Sequence, residues 1–203
     1  MTGGQPTLEL WFEPASTYSY LAVSRIGPAA QAAGVAVAWR PFLLGPIFRA
    51  QGWDTSPFNL QPAKGRYMWR DMQRQCTALG LPLVRPSQFP RNSVLAARAA
   101  LVAEEEGWCA AFAAAVLRAN FAEDRDIADP QVIAAIAGAL GRDGAGLLDR
   151  AQSPAIKDGL RRQTDRAAAL GIFGAPTLVT ADGELFWGDD RLDQAIAWAT
   201  QAP

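Results

Sequence analysis

The chain has 203 residues, of which 50% are hydrophobic and 19% charged, and a formal net charge of −1. It is long enough to bury a core in one domain, or in one domain that carries a large insertion. The near-zero charge predicts no nucleic-acid partner, and the lack of a run of 18 apolar residues predicts no membrane span. The chain has no histidine, which excludes serine–histidine triads and histidine metal sites, so we expect no metal.

The chain start and the cysteines bear on the cellular compartment. Residues 1–6 contain neither a basic segment nor an apolar one. Because a secretory signal needs both, we expect a cytoplasmic protein. The two cysteines, Cys76 and Cys109, are far apart and lie in helical patterns. We therefore expect free thiols packed as small apolar groups, and neither a dithiol redox centre nor a zinc site.

The first predicted element is a buried strand over residues 8–12, which are apolar and aromatic. After Pro14 the pattern becomes helical, and Ser16 lies at the junction. A serine at this position is a good N-cap, because its oxygen can accept a hydrogen bond from a free backbone N–H group. The same position carries the positive end of the helix dipole, which favours an anion. Ser16 is thus either a cap alone or also part of an anion or thiolate site.

The next segments complete a βαβ unit, after which the sequence becomes rich in Gly, Pro and aromatic residues. The helix continues toward Gly34, and residues 35–39 alternate as a second strand, which predicts a right-handed crossover between parallel strands. Residues 42–59 are rich in Gly, Pro and aromatic residues, so we expect a long ordered loop there. Pro62 and Lys64 then open a helix predicted over residues 65–79.

The remaining sequence predicts a helical block followed by a hairpin and a last helix. Five alanine-rich helices are predicted, at residues 93–107, 108–120, 130–140, 144–151 and 153–170. Asp129-Pro130 and Ser153-Pro154 are favourable helix starts, each a capping residue followed by proline. Strands at 177–180 and 184–187 flank Asp182-Gly183, a strong hairpin signal, and a final helix covers 192–200.

This element order predicts an α/β thioredoxin fold (βαβ…ββα) interrupted by a large all-helical insertion. We expect a thioredoxin-like domain made of residues 7–43 and 171–201, with an inserted helical domain over residues 44–170.

Several separated motifs resemble the DsbA-like branch of thioredoxin-fold proteins, and within it the 2-hydroxychromene-2-carboxylate isomerases and kappa-class glutathione transferases. The motifs are STYSYLA at 16–22, PAKGRYMWRD at 62–71, FPRNS at 89–93 and GIFGAPT at 171–177. Several motifs in the same order are specific, whereas any one alone is weak. The resemblance covers residues 8 to about 198.

The resemblance also suggests the chemistry of the first turn. Redox members carry C-x-x-C there, and Ser16 and Ser19 stand in those positions. A hydroxyl cannot form a mixed disulfide, but it can donate a hydrogen bond to a thiolate, which the resemblance assigns to bound glutathione. Such a bond contributes about 1.5–3 kcal/mol, or roughly one to two pK units. Together with the helix dipole, this is expected to populate the thiolate at neutral pH, with Ser16 as the catalytic residue.

Further glutathione contacts follow from the same resemblance. If the Ala175-Pro176 bond is cis, Ala175 is expected to bind the cysteinyl part through its backbone; the alternative for Pro176 is a plain turn. Asp190 and Arg191 are expected to hold the γ-glutamyl end. The other predicted contacts are Thr17, Tyr18, Trp53, Asp54 and Lys64.

One of these predicted contacts has an alternative interpretation, and two differ from the residue that is usual in the family. Lys64 either pairs with a carboxylate of glutathione or substrate, or is a solvated helix start. Thr17 replaces a usual proline, and Asp54 replaces a frequent asparagine, which puts the glutathione affinity in doubt more than the role.

The resemblance implies a glutathione-dependent isomerase of 2-hydroxychromene-2-carboxylate or a similar aromatic 2-oxo acid or hemiketal, in aromatic-compound catabolism, and a homodimer. A set of aromatic residues is expected to line a pocket for a flat substrate or to belong to the core: Trp11, Phe42, Phe48, Trp53, Phe58, Trp69 and Trp187. The alternatives are a kappa-class-like transferase and a non-catalytic thioredoxin-like binding module. A dithiol oxidoreductase lacks the second thiol that it would need.

Overall fold

The computed structural model describes residues 5–201, so most of the N-terminal segment behind the compartment prediction lies outside the described residues. One four-stranded mixed sheet has the order β2-β1-β3-β4. Its strands are β1 Thr7–Phe12, β2 Ala36–Pro41, β3 Thr177–Thr180 and β4 Leu185–Trp187. β1 is parallel to β2 and antiparallel to β3, and β4 is antiparallel to β3. Leu10 thereby lies opposite both Trp39 and Leu178.

Helices make up most of the described chain. They are α1 Thr17–Ala32, α2 Leu44–Ala50, α3 Pro57–Leu60, α4 Pro62–Leu79, α5 Val94–Glu105, α6 Cys109–Phe121, α7 Pro130–Ala139, α8 Gly144–Gln152, α9 Pro154–Ala169 and α10 Leu192–Ala199, with a 3₁₀ turn at Asp189–Arg191. Between residues 5 and 201, no helix combines the length and apolarity that crossing a membrane requires. The order of elements confirms a thioredoxin fold with a helical insertion.

Local capping explains why several helices begin where the sequence predicts. Asp129 accepts a hydrogen bond from the Gln131 N–H at 2.8 Å, and Pro130 occupies the first helical position. Ser153 accepts from the Ile156 N–H at 3.3 Å, again before a proline. Each cap satisfies an N–H group that has no partner inside its helix.

The prediction of a loop over residues 42–59 is wrong, because this segment contains α2 and the short α3. In α2, Leu44 and Ile47 are buried at helical spacing and pack in one cluster with Ala167 and Ile172. Pro46 is tolerated because a residue in the first helical turn needs no intrahelical N–H partner. Apolar burial thus outweighs the local Gly-Pro signal.

The two faces of the sheet contribute to two apolar clusters. Leu10 belongs to a cluster that also holds Leu21 of α1 and Phe112 of α6. The next residue, Trp11, points to the other face and packs in the cluster of α2 and α9, as expected for alternation along a strand. Both clusters therefore join the sheet to inserted helices. The division into domains 7–43 with 171–201 and 44–170 stays a prediction.

A polar junction also ties the sheet to the inserted helices. Glu9 of β1 accepts from Arg40 Nε at 3.0 Å and from Arg166 Nη2 of α9 at 2.9 Å. Arg40 also donates to Glu104 of α5 at 2.9 Å. These contacts, of which the two made by Arg40 are partly buried, join two helices to the strands that carry the candidate site.

Candidate active site

Ser16 lies between β1 and α1 and has the extended backbone of an N-cap residue. Its Oγ accepts from the Ser19 N–H at 3.3 Å, which confirms the predicted cap. The same hydroxyl donates to the backbone carbonyl of Ala175 at 2.9 Å. The Ser16 N–H donates to the Glu13 carbonyl at 2.9 Å, which closes the turn before the helix.

The next two residues differ in what they present to the site. Thr17 is only 1% exposed, and its hydroxyl donates to Met68 Sδ at 3.3 Å, so its side chain faces α4. Tyr18 is half-buried and donates from its hydroxyl to Asp71 at 3.1 Å. Burial and the Asp71 carboxylate raise the pKa of Tyr18 well above its usual range, so it stays protonated. The N–H groups of Thr17 and Tyr18 find no acceptor in the described part of the chain.

The loop before β3 faces Ser16 and contains the predicted cis bond between Ala175 and Pro176. Both residues are buried. The Thr177 hydroxyl donates to the Gly174 carbonyl at 2.9 Å, and the Gly188 N–H donates to the Pro176 carbonyl at 3.0 Å. These bonds fix the Ala175 carbonyl in front of the first turn of α1. We name residues 174–176 the cis-proline loop.

Asp190 and Arg191 follow Gly188 and are exposed, with 3.4 Å between Arg191 Nη1 and Asp190 Oδ2. Since Gly188 is bonded to Pro176, this pair lies near the cis-proline loop. Asp189 beside them was not predicted: it is 4% exposed and pairs with Arg25 at 3.2 Å. Its second oxygen, Oδ1, is buried without a partner among the described residues. Burial raises the pKa of Asp189, although the charge of Arg25 and its hydrogen bond act to lower it.

Trp53, Asp54 and Lys64 are exposed, and no hydrogen bond, ion pair or ring contact between described residues joins them to Ser16. Trp53 instead lies 5.6 Å from the Phe48 ring. Lys64 precedes Met68, the partner of Thr17, by four residues on α4. The two therefore share a helix face, about 6 Å apart along the axis. Their glutathione contacts stay predictions.

The predicted aromatic set divides between core and surface. Trp11 and Phe42 are fully buried and meet edge to face, with centroids 6.0 Å apart. Trp187 is 53% exposed and lies 4.9 Å from Phe173, which is equally exposed and was not predicted. Gly174 lets this aromatic pair sit against the cis-proline loop, because a Cβ there would lie 2.3 Å from the Trp187 indole nitrogen.

Two buried side chains support the segment before Ser16. Glu13 accepts from the Ala15 N–H at 3.1 Å. Burial raises its pKa to about 7, although hydrogen bonds from Ser93 and Ala15 oppose the rise. Asn120 of α6, 1% exposed, donates to the Pro14 carbonyl at 3.2 Å. Sequence reasoning missed both, since their partners are set by packing.

The two cysteines are free and buried, as predicted. Burial raises the pKa of Cys76 to about 11 and raises that of Cys109 further, with Glu104 adding to the second effect. Both groups are therefore thiols at neutral pH. Neither is part of the Ser16 turn.

The sheet order, the cis-proline loop and the capped first turn define a thioredoxin-fold protein whose turn carries hydroxyls instead of thiols. The chain belongs to the family of the DSBA-like thioredoxin domain, whose model matches residues 7–196.

Similar proteins of known name fall into two groups. A 2-hydroxychromene-2-carboxylate isomerase of Sphingobium xenophagum is 29% identical over 188 residues, covering 92% of this chain and 94% of the relative. Glutathione S-transferase kappa 1 of Homo sapiens is 28% identical over 200 residues, covering 92% and 88%. A solved structure of a 2-hydroxychromene-2-carboxylate isomerase superimposes with a TM-score of 0.84 at 27% identity, covering 95% of this chain and 93% of the other.

Proposed function

We propose that this protein is a glutathione-dependent isomerase that acts on 2-hydroxychromene-2-carboxylate or a similar aromatic 2-oxo acid or cyclic hemiketal. The proposal depends above all on one observation: the Ser16 hydroxyl, at the start of α1, faces the backbone of the residue before cis Pro176. Relatives named as isomerases and glutathione transferases support an enzyme of this kind.

The first turn of α1 fits a thiolate. Two N–H groups, of Thr17 and Tyr18, have no acceptor in the described chain, and the dipole of a 16-residue helix points its positive end at the same place. Ser16 adds a hydroxyl that can donate. These three sources favour the ionised sulfur over the neutral thiol, and so lower the pKa of a thiol bound there.

The hydroxyl must first be released from its present partner. Ser16 now donates to the Ala175 carbonyl, which is also the acceptor available to a peptide N–H of glutathione. When that carbonyl accepts the peptide N–H, the Ser16 hydroxyl proton can rotate about the Cβ–Oγ bond and point to the sulfur. Its oxygen still accepts from Ser19, so the cap survives the change. Binding of the cysteinyl backbone and ionisation of the sulfur are thereby coupled.

Charged groups beyond the cis-proline loop suit the γ-glutamyl end. Asp190 is an exposed carboxylate able to accept hydrogen bonds from an amino group, and Arg191 is able to pair with a carboxylate. Lys64, across the turn on α4, is the proposed partner of another carboxylate.

Glutathione, when bound, supplies a thiolate that adds reversibly to a conjugated carbon, so that rotation about the resulting single bond can occur before elimination returns the thiol. Throughout the reaction, the Ser16 hydroxyl remains the hydrogen-bond donor to the sulfur. Phe173 and Trp187 present flat apolar surface beside the cis-proline loop, where an aromatic substrate can stack. The reaction is balanced, because the added sulfur leaves and no oxidant or reductant is consumed.

A kappa-class-like transferase is the second candidate, because the human relative covers the same share of this chain as the isomerase does. It would use the same thiolate but keep the sulfur in the product. Isomerisation of the chromene, compared with conjugation of 1-chloro-2,4-dinitrobenzene, separates the two activities. A non-catalytic binding module would show neither. The proposal also includes a cytoplasmic location, a role in aromatic-compound catabolism and a homodimer. The mass of the protein in solution tests the dimer.

The test compares Ser16→Gly with Ser24→Ala, a hydroxyl deletion on the exposed side of the same helix. Ser16→Gly should lower chromene isomerisation at least tenfold and reduce the extra thiolate absorbance of bound glutathione at neutral pH. Ser24→Ala should change neither. Unchanged isomerisation in Ser16→Gly would contradict the role of Ser16, and wild-type conjugation without isomerisation would favour the transferase.

A further inference from the structure

A cavity of about 640 Å³ opens beside α4 on a different face from the one that packs against α1. The side chains that matter for its chemistry are Phe58, Arg66, Trp69, Arg70, Arg85 and Phe89. None of the residues predicted to bind glutathione lines it, whereas Phe58 and Trp69 belong to the aromatic set predicted for a substrate pocket or the core. We call it the α4 cavity. Its volume lies within the range of about 300–1,000 Å³ that is usual for small-molecule sites.

The charge of the α4 cavity is positive and not neutralised by the protein. Arg66, Arg70 and Arg85 line it, and no Asp or Glu does. Most other arginines of the described residues form an ion pair, but these three do not. Asp71, next to Arg70 in sequence, instead contacts Tyr18 and Arg74. Three like charges repel each other in one cavity, so an anion there is favourable.

Aromatic rings supply the rest of the lining. Trp69 and Phe89 are half-buried and meet edge to face at 5.0 Å. The Arg85 guanidinium lies over the Trp69 ring at 5.2 Å from its centroid. The cavity therefore offers ring edges and faces next to guanidinium groups, which suits a flat ring that carries a negative charge.

The walls are held in place by backbone contacts. Gly65 lets α3 lie directly against α4, because a Cβ at this position would be 2.3 Å from the Phe58 carbonyl oxygen. Asn59 donates to the Phe89 carbonyl at 3.3 Å and so joins α3 to the segment that carries Arg85. The rings and arginines of the cavity are thus positioned by the fold.

We propose that the α4 cavity is a second binding site, separate from the glutathione site, for a small aromatic carboxylate. Arg66 and Arg70, one turn apart on α4, bind the carboxylate, since a guanidinium pairs with carboxylate oxygens through two parallel N–H donors. The ring packs against Trp69 and Phe89. Arg85, over the Trp69 ring, adds to the positive field.

Calorimetric titration of the full chain with 2-naphthoate tests this site, with saturating glutathione present. We expect saturable binding that weakens with added salt, as for a charge-dependent site. 2-Naphthylmethanol keeps the ring without the charge, and acetate keeps the charge without the ring, so each should bind at least tenfold more weakly. Equal binding of either comparator would overturn the assignment of an aromatic anion.

Variants locate the site. The double variant Arg66→Gln/Arg70→Gln should weaken 2-naphthoate binding tenfold or more, whereas Arg161→Gln, an exposed arginine of α9, should leave it unchanged. If the double variant does not fold, Arg70→Gln alone is measured, and a smaller loss of 2-naphthoate affinity is expected. Unaltered affinity in the arginine variants, or much tighter binding of 2-naphthoate when glutathione is left out, would refute a separate site in the α4 cavity.

Discussion

The Ser16 hydroxyl donates a hydrogen bond to the Ala175 carbonyl, 2.9 Å away and 159 residues later in the chain. This contact joins the first turn of α1 to the cis-proline loop. It also uses the one proton that a serine can donate, while the oxygen caps the helix through Ser19. Ser16 therefore has a structural role and a proposed chemical role that different substitutions can separate.

Ser16→Ala should destabilise the protein more than Ser16→Gly. Both lose the bond to Ala175, but alanine at an N-cap costs about 0.5–2 kcal/mol, whereas glycine costs only a few tenths. Urea unfolding should place the alanine variant about 1 kcal/mol below the glycine variant, with isomerisation lost in both. Equal stabilities would mean that the cap contributes little.

Glu13 should make stability depend on pH near neutrality. Its folded-state pKa of about 7 lies above the ordinary 4.5, so the folded state binds the proton more tightly than the unfolded state. This contribution is full below pH 4.5 and is lost as the pH rises through 7, with an upper limit of about 3 kcal/mol. The free energy of unfolding should fall from pH 5 to pH 8 in wild type and much less in Glu13→Gln. The exposed control Glu184→Gln should behave as wild type.

Asn120→Ala should cost about 1–3 kcal/mol, because it leaves the buried Pro14 carbonyl without its donor and removes one of the acceptors of Arg91. Asn120→Asp keeps the acceptor for Arg91 but removes the donor to Pro14, so it separates the two contacts. Urea unfolding measures the loss. A cost below about 0.5 kcal/mol for Asn120→Ala would show that the segment before Ser16 is held by other contacts.

Gly65→Ala should destabilise the protein by about 1–3 kcal/mol, since its Cβ would overlap the Phe58 carbonyl oxygen. Gly27→Ala is the matched control: it lies within α1 with nothing within 4 Å of its Cβ position, and should stabilise by about 0.4–1 kcal/mol. Thermal or urea unfolding measures both. Shifts of the same sign would argue against close packing of α3 on α4.

Gly174→Ala should act on Trp187, whose indole nitrogen lies 2.3 Å from the new Cβ. Because Trp187 is exposed, it can move aside, so we expect a rise in KM for the aromatic substrate with little loss of stability. In a Trp187→Ala background the same substitution should have no added effect on KM. Additive effects in this double-mutant cycle would show that the two residues act independently.

Local signals predicted much of the fold. Asp129, Ser153 and Ser16 cap helices through residues two or three positions away, so the information lies within a few residues. The Asp182-Gly183 turn likewise predicts the hairpin of β3 and β4. These features were accessible because short-range geometry decides them.

Features set by distant packing were not predictable. The helix α2 is stabilised by Ala167 and Ile172, more than 100 residues away, and its Gly-Pro content favoured a loop. The Asn120 contact with Pro14 and the exposed pairing of Phe173 with Trp187 depend in the same way on the assembled fold. Thr17, named from its motif, turns its side chain to Met68, which the motif alone does not reveal.

The burial of Cys76 and Cys109 has a consequence for the proposed use of glutathione. Disulfide exchange requires an accessible thiolate, and both cysteines are enclosed and protonated at neutral pH. The folded protein should therefore keep its mass during prolonged exposure to oxidised glutathione. Its own two cysteines should therefore not undergo disulfide exchange with the glutathione that the protein is proposed to use.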